Sequence, residues 1–307
     1  MAEAEFTHAP VMLAEVIEAM QVRPEGVYLD GTFGRGGHAR QLLARLGANG
    51  RLLLMDRDPS AIAQAAREFG NDARVRIRQG NFAAMGEWDE ARQGMDGVFL
   101  DLGVSSPQLD DASRGFSFQA DGPLDMRMDP GSGRSAAEWL AAATEAEIAD
   151  VLWRYGEERL SRRIARAIVE RREQQPLQST AQLAELVVRT IGHRERNKHP
   201  ATRTFQALRI QVNDELGALE AGLEAALEGL KPGGRLVVIS FHSLEDRVVK
   251  HFMREQAAQP GNRRNLPPLE APPSRMRALG KHFAGAAELA ANPRSRSAVL
   301  RIAEKRP

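Results

Sequence analysis

The sequence predicts an α/β fold: a Rossmann-like, doubly wound sheet with an inserted α-helical subdomain. Three observations predict it. Short aliphatic runs end repeatedly at an acidic residue or a glycine turn, amphipathic helical stretches alternate with them, and the alternation lapses mid-chain into helices with no strands between them.

Val27-Tyr28-Leu29-Asp30 is the first such run, closed by glycines and followed by the helical repeat Ala39, Leu42, Leu43, Leu46. Leu52-Leu53-Leu54-Met55, ending at Asp56, is apolar throughout, as a strand covered on both faces must be. Asp58 is placed to cap the next helix with Pro59 at its first position, and Ile62, Ala65, Ala66 and Phe69 form its inner stripe. Val75 and Ile77 mark a third strand ending near Asn81-Phe82. Gly97-Val98-Phe99-Leu100 marks a fourth, ending at Asp101.

Residues 105–133 are rich in proline and glycine and read as a long loop, a feature usually tied to function in compact domains. Beyond it, Ser135 with Glu138, Thr144 with Glu147 and Ser179 with Gln182 have capping-box spacing. These predict helices, and residues 110–199 are assigned to the inserted subdomain, between a first part (1–109) and a second part (200–307) of the sheet domain. Apolar residues from Phe205 to Leu230 keep helical spacing until Lys231-Pro232-Gly233-Gly234. Leu236-Val237-Val238-Ile239 is a fifth buried strand. Ser243, with Asp246 three residues on, is read as the N-cap of the helix that follows. No periodicity appears over 259–273, where mobility is expected. Val299-Leu300-Arg301-Ile302 reads as a last strand.

The chain has 307 residues and no cysteine, which excludes disulfides, thiolate metal sites and a cysteine nucleophile, and fits a reducing compartment. No apolar run approaches the roughly 18 residues of a membrane span, so a soluble, cytoplasmic protein is expected. No metal-ligating constellation is read. The net charge of +1 hides an asymmetry: residues 1–150 carry 14 Arg against 24 Asp and Glu, and residues 247–307 carry 13 Arg and Lys against 4 Glu. A polyanionic partner accounts for such polarity; so does a solvated tail.

Asp30-Gly31-Thr32-Phe33-Gly34-Arg35-Gly36-Gly37-His38 puts glycines where a chain must turn sharply from strand to helix. Gly34, Gly36 and Ala39 satisfy the dinucleotide pattern G-x-G-x-x-A, so a nicotinamide oxidoreductase is one reading. A carboxylate at Asp30, however, repels a pyrophosphate and attracts a cationic amino-acid moiety. With Asp56 available for ribose hydroxyls, Phe82 available to flank an adenine and Asp101 at the fourth strand end, the series favours S-adenosyl-L-methionine.

Asp101-Leu102-Gly103-Val104-Ser105-Ser106-Pro107-Gln108-Leu109-Asp110 lies beyond a strand's carboxyl end, where open α/β sheets hold their chemistry. An exocyclic base amine is a poor nucleophile until acceptors hold its protons and redirect its lone pair. Asp101 and the carbonyls around Ser105 and Pro107 are candidate acceptors, with in-line placement supplying further acceleration. Methylation at pyrimidine C5, which needs a thiolate, is closed to a cysteine-free chain. A plain loop start also explains Ser105-Ser106-Pro107, and N4-cytosine and N6-adenine chemistry look alike here.

These stretches, with Arg114-Gly115-Phe116-Ser117-Phe118, Thr202-Arg203-Thr204-Phe205-Gln206-Ala207-Leu208-Arg209-Ile210, Ser240-Phe241-His242-Ser243-Leu244-Glu245-Asp246-Arg247 and Asn292-Pro293-Arg294-Ser295-Arg296-Ser297, as well as His8-Ala9-Pro10-Val11-Met12-Leu13, resemble the bacterial 16S ribosomal RNA cytosine-N4 methyltransferases over nearly the full length. That resemblance implies a class I methyltransferase sheet, action on a cytidine in the decoding centre, and 16S rRNA within the 30S subunit as partner. It places cofactor contacts at Gly36, Gly37, His38, Asp56, Phe82, Asp101 and Gln108. Phe116 and Phe118 are candidates to stack on a flipped cytosine, or else pack within the loop. His242 is a candidate to border the base, and Arg203, Arg209, Arg294 and Arg296 to meet phosphates, although surface arginines need no such role. A non-catalytic RNA-binding ribosome assembly factor is the alternative. A homodimer is left open.

Overall fold

The computed structural model describes residues 10–192, 199–257 and 274–307. The loop read at 259–273 and the His8-Ala9 start of the first motif lie outside the described residues. Two compact units are present: Met1–Gly103 with Leu216–Pro307, and Val104–Glu215.

The first unit holds a seven-stranded sheet in the order β3-β2-β1-β4-β5-β7-β6. Its strands are β1 (Val27–Asp30), β2 (Arg51–Asp56), β3 (Val75–Gln79), β4 (Met95–Asp101), β5 (Leu230–Ser240), β6 (Met276–Phe283) and β7 (Val299–Lys305). Only β7 runs antiparallel to its neighbours. Strict alternation sends Leu52, Leu54, Phe99, Val237 and Ile239 into one core, and Leu53, Met55, Val98, Leu100, Leu236 and Val238 into another. The first core is covered by α1 (Leu13–Met20), α2 (Gly37–Leu43) and α3 (Pro59–Phe69), the second by α4 (Asp89–Arg92), α11 (Glu215–Gly229) and α12 (Ser243–Ala257). Two covered faces explain why the strands lack a polar side; each fully buried aliphatic chain stabilises the fold by about 1.5–3 kcal/mol.

As the sequence predicts, Asp58 caps α3, accepting the Ser60 N–H at 2.9 Å, with Pro59 in the first turn. The strand before α12 begins earlier than its aliphatic run: Leu230 pairs with Met95, and the ladder resumes only at Arg235 opposite Gly97, so Pro232 to Gly234 bulge out of it.

The second unit contains α5 (Ser106–Asp110), α6 (Ala136–Ala142), α7 (Glu145–Gly156), α8 (Ser161–Gln174), α9 (Thr180–Ile191) and α10 (Thr202–Asn213) around its own core of Ile148, Leu152, Ile164, Ile168, Leu183, Val187 and Leu208. All three capping boxes expected from spacing are formed, at Ser135, Thr144 and Ser179. The unit boundaries differ from the expected 110–199. Helix α10 packs on α7 and so belongs to this unit. The helical spacing from Phe205 to Leu230 spans two helices rather than one, because Asp214 adopts a left-handed conformation (φ 47°, ψ 47°) between them. No helix among the described residues is long and apolar enough to cross a membrane.

Candidate active site

Strand order reverses between β1 and β4, opening the crevice beyond their carboxyl ends that such sheets use for ligands. Three acids stand there. Asp30 closes β1, Asp56 closes β2 and Asp101 closes β4. Asp30 Oδ1 accepts the Thr32 N–H at 3.2 Å, and Thr32 Oγ1 in turn accepts the Asp101 N–H at 2.6 Å, tying the first turn to the end of β4. Asp56 is held by two backbone donors, Gly34 N–H on Oδ2 at 2.8 Å and Asp58 N–H on Oδ1 at 2.9 Å. Asp101 Oδ1 is buried and accepts no hydrogen bond.

Burial pushes all three carboxyls up: Asp30 to about 7, Asp56 to about 6 and Asp101 to about 8, with the charges of Asp30 and Glu245 adding to the rise at Asp101. A crowd of desolvated carboxyls with one oxygen unmatched suits a cation. A pyrophosphate, an anion, gains nothing from such a site, which counts against the dinucleotide reading. The donor set fits a cationic cofactor such as S-adenosylmethionine: Asp56 keeps lone pairs that its two backbone donors leave over, and Asp101 keeps an oxygen without a partner.

The turn's glycines serve the protein as much as any ligand. Gly34 and Gly36 have φ of 54° and 74°, in the left-handed region. A Cβ on Gly36 would stand 2.7 Å from the Phe33 ring, one on Gly37 2.2 Å from Pro10, and one on Gly31 2.6 Å from Leu100. His38 is buried in the first turn of α2, its Nε2–H donating to the Val11 carbonyl at 3.0 Å and its ring 4.6 Å from that of Phe99. Burial lowers its pKa to about 4, so it is a neutral anchor for the N-terminal segment. Phe82 is half-buried; its ring fills the space that a side chain at Gly222 of α11 would need.

Other predicted residues are engaged locally. Gln108 is buried and completes the capping box of α5, its Oε1 accepting the Ser105 N–H at 2.9 Å. The Ser105 and Pro107 carbonyls already accept the Leu109 and Asp111 N–H groups at 3.3 and 3.0 Å. Phe116 is buried in the core of the helical unit, and Phe118 stacks on His199 (centroids 4.5 Å) and meets Phe205 edge-on at 4.9 Å. Both therefore pack against the rest of the helical unit rather than within the loop alone. Arg209 makes a two-pronged pair with Glu215 at 2.7 and 2.8 Å, and Arg203 is half-buried with a partner of its own. Arg296 is exposed and Arg294 half-buried on the 3-10 turn before β7.

Glu245 is the residue the sequence reading missed. It is buried at the start of α12, where its Oε2 accepts the Phe241 and His242 N–H groups at 2.8 and 3.3 Å, while Oε1 lies 3.0 Å from His242 Nε2. The expected cap at Ser243 is therefore corrected: Ser243 is exposed inside the helix, the reciprocal bonds run between His242 and Glu245, and Asp246 pairs instead with Arg301 at 2.6 and 2.9 Å. Ser-x-x-Asp spacing looks like a cap, but His-x-x-Glu one residue earlier has the same spacing and prevails.

Strand order with a single antiparallel seventh strand, and an acidic crevice at its switch point, define the Rossmann-like class I methyltransferase fold. The chain belongs to the MraW methylase family, whose model matches residues 5–306. It is 60% identical over 306 residues to the ribosomal RNA small subunit methyltransferase H of Xanthomonas euvesicatoria, covering 99% of this chain and 90% of that protein. It is 59% identical over 307 residues to the protein of the same name from Stenotrophomonas maltophilia, covering 100% and 95%. A solved rRNA methylase from Streptococcus thermophilus aligns with a TM-score of 0.43 at 10% identity, over 96% of this chain and 94% of that one.

Proposed function

We propose that this chain transfers a methyl group from S-adenosyl-L-methionine to the exocyclic N4 amine of a cytidine in the decoding centre of 16S ribosomal RNA, acting in the cytoplasm on the small ribosomal subunit. The observation that carries the reading is Asp101, a carboxyl with a buried, unpartnered oxygen at the end of β4, close to the charges of Asp30 and Glu245. The names of the two bacterial relatives support the ribosomal RNA substrate, and the resemblance of the motifs supports N4 of cytidine.

The methyl donor supplies, when bound, a carbon made electrophilic by a positive sulfur. Asp101, ionised in the presence of that charge, accepts an N–H of the target amine and turns its lone pair away from the ring. Thr32 fixes the strand end that carries Asp101, and Asp56 would hold the ribose of the donor through lone pairs its backbone donors leave over. No strong base is needed, because the amine proton becomes acidic as the new N–C bond forms, and Asp101 is the group assigned to receive it.

The test is methylation of small subunits from a strain lacking the modification, by purified protein and labelled donor, with mass spectrometry of the digested RNA. The expected product is N4-methylcytidine at a single site. Methyladenosine, or an unchanged modification map, overturns the assignment.

A further inference from the structure

β6 is one edge of the sheet and carries an aromatic ring that packing does not explain. Phe283 is 59% exposed, the most exposed large apolar side chain among the described residues. Lys281, two residues back on the same face of the strand, holds its Nζ 5.0 Å from the ring centroid, and both it and His282 are exposed. An edge strand ordinarily shields itself with charge, not with an open phenyl ring.

Register fixes where this ring stands. Asp101 pairs with Ile239, Ile239 with Leu300, and Leu300 with His282. A single row of backbone positions across the sheet therefore joins Asp101 to His282, the residue before Phe283, over three strand spacings, roughly 14 Å. β6 runs parallel to β5, so Phe283 is at the carboxyl edge, the same edge as the acidic crevice.

The surroundings are basic. A groove of about 450 Å³ between α12 and the β6-β7 pair is lined by Lys250, Arg254, Lys281 and Arg301 over an apolar floor that includes Met253 and Ile302. Arg301 is engaged by Asp246, and no carboxylate lines the groove among the described residues. Arg296, on the turn entering β7, is exposed at the same edge. The one acid on the neighbouring α13 (Ala286–Ala291), Glu288, is occupied by the Met12 N–H at 2.7 Å.

We propose that Phe283 and Lys281 form a docking platform for single-stranded RNA flanking the methylated nucleotide: the ring stacks on a base and Lys281, with the groove beyond it, takes the adjoining phosphates. An open aromatic face beside unneutralised cations is the arrangement by which proteins hold single strands without reading sequence. A distance of three strands from Asp101 suits a neighbour of the target base and excludes the target itself. The inference rests on RNA being the acceptor, as proposed above.

Phe283 is exposed, so its replacement leaves the core intact. Binding of a short fluorescein-labelled single-stranded RNA to the full chain, followed by anisotropy, is expected to weaken about fivefold to a hundredfold in F283A, the loss of one base stack. F283W should bind as the parent does, K281A should weaken binding and flatten its salt dependence, and affinity for S-adenosylhomocysteine should not move in any of them. Unchanged RNA affinity in F283A overturns the platform. So does a parent chain that fails to bind the RNA, or an F283A variant whose only change, by sedimentation, is from dimer to monomer. Because the readout is binding, loss of the effect in F283A with intact methylation of small subunits rejects the platform alone. A parent that binds RNA through Phe283 without methylating it rejects the proposed reaction alone.

Discussion

The proposed chemistry rests on one side chain, Asp101, whose environment is costly to maintain. Its folded pKa, about 8, is above the ordinary carboxyl value, as are those of Asp30 and Asp56. The ligand-free folded chain therefore keeps protons that the unfolded chain has already released, and its stability should fall as pH rises from about 4 through about 8. Thermal melts across that range should show it, with the upper part of the fall flattened in D101N and the melting temperature of that variant raised at pH 9 by about 3 °C or more. A melting temperature that climbs with pH contradicts the arrangement. S-adenosylhomocysteine, lacking the sulfonium charge but keeping the ammonium, should lessen the slope. D101A should lose methyl transfer by about a hundredfold or more while melting cooperatively. Asp30, Asp56 and Asp101 were legible in the sequence because each ends an aliphatic run. Glu245 was not, since nothing local distinguishes a buried glutamate in the first turn of α12 from an exposed one.

At the level of elements, the strands covered on both faces are written in the sequence as short, nearly unbroken apolar runs, and β1, β2, β4 and the core of β5 can be read directly. β6 cannot: an edge strand whose side chains are mostly exposed, Met-Arg-Ala-Leu-Gly-Lys-His-Phe, has no reason to alternate or to be aliphatic. The break between α10 and α11 was hidden for a different reason, because each helix keeps its own apolar stripe and the two run on in phase. Asn213 at that break is buried and does more than end a helix. Its Oδ1 accepts the Met128 N–H at 2.8 Å and its Nδ2 donates to the Met126 and Arg209 carbonyls at 2.7 and 2.9 Å, pinning the proline- and glycine-rich stretch where Met126 has φ 63°. N213A takes the partner from the Met128 N–H and the Met126 carbonyl. It should destabilise the helical unit by about 2–4 kcal/mol, visible as a lowered denaturant midpoint and early protease cleavage around Met126. Cleavage unchanged from the parent would show the loop to be held some other way.

For the whole molecule, charge and topology set the terms. The acidic first half and the basic last fifth make a strongly polar chain despite its net charge of +1. If the basic end engages phosphates, the logarithm of RNA affinity should fall with the logarithm of salt by about 0.7 to 0.9 per contact, and a flat response removes that end from the interaction. The insertion of a full helical unit between β4 and β5 was foreseen, but its limits were not, because α10 carries one of the longest motifs and a motif gives no sign of which core its helix joins. The same insertion bears on assembly in time. β5 pairs along the length of β4, yet Asp101 and its partner Ile239 are separated by the whole helical unit. On a chain emerging from the ribosome, the β4 edge is therefore left open until residues 104–215 and α11 have been made. A helical unit that collapses early shortens that wait only in space, since loop closure costs rise slowly with length while synthesis time rises linearly. The aliphatic β4 edge is then the segment most exposed to mispairing, and slow translation through the insertion is the condition under which nascent chains of this protein should aggregate or recruit chaperones.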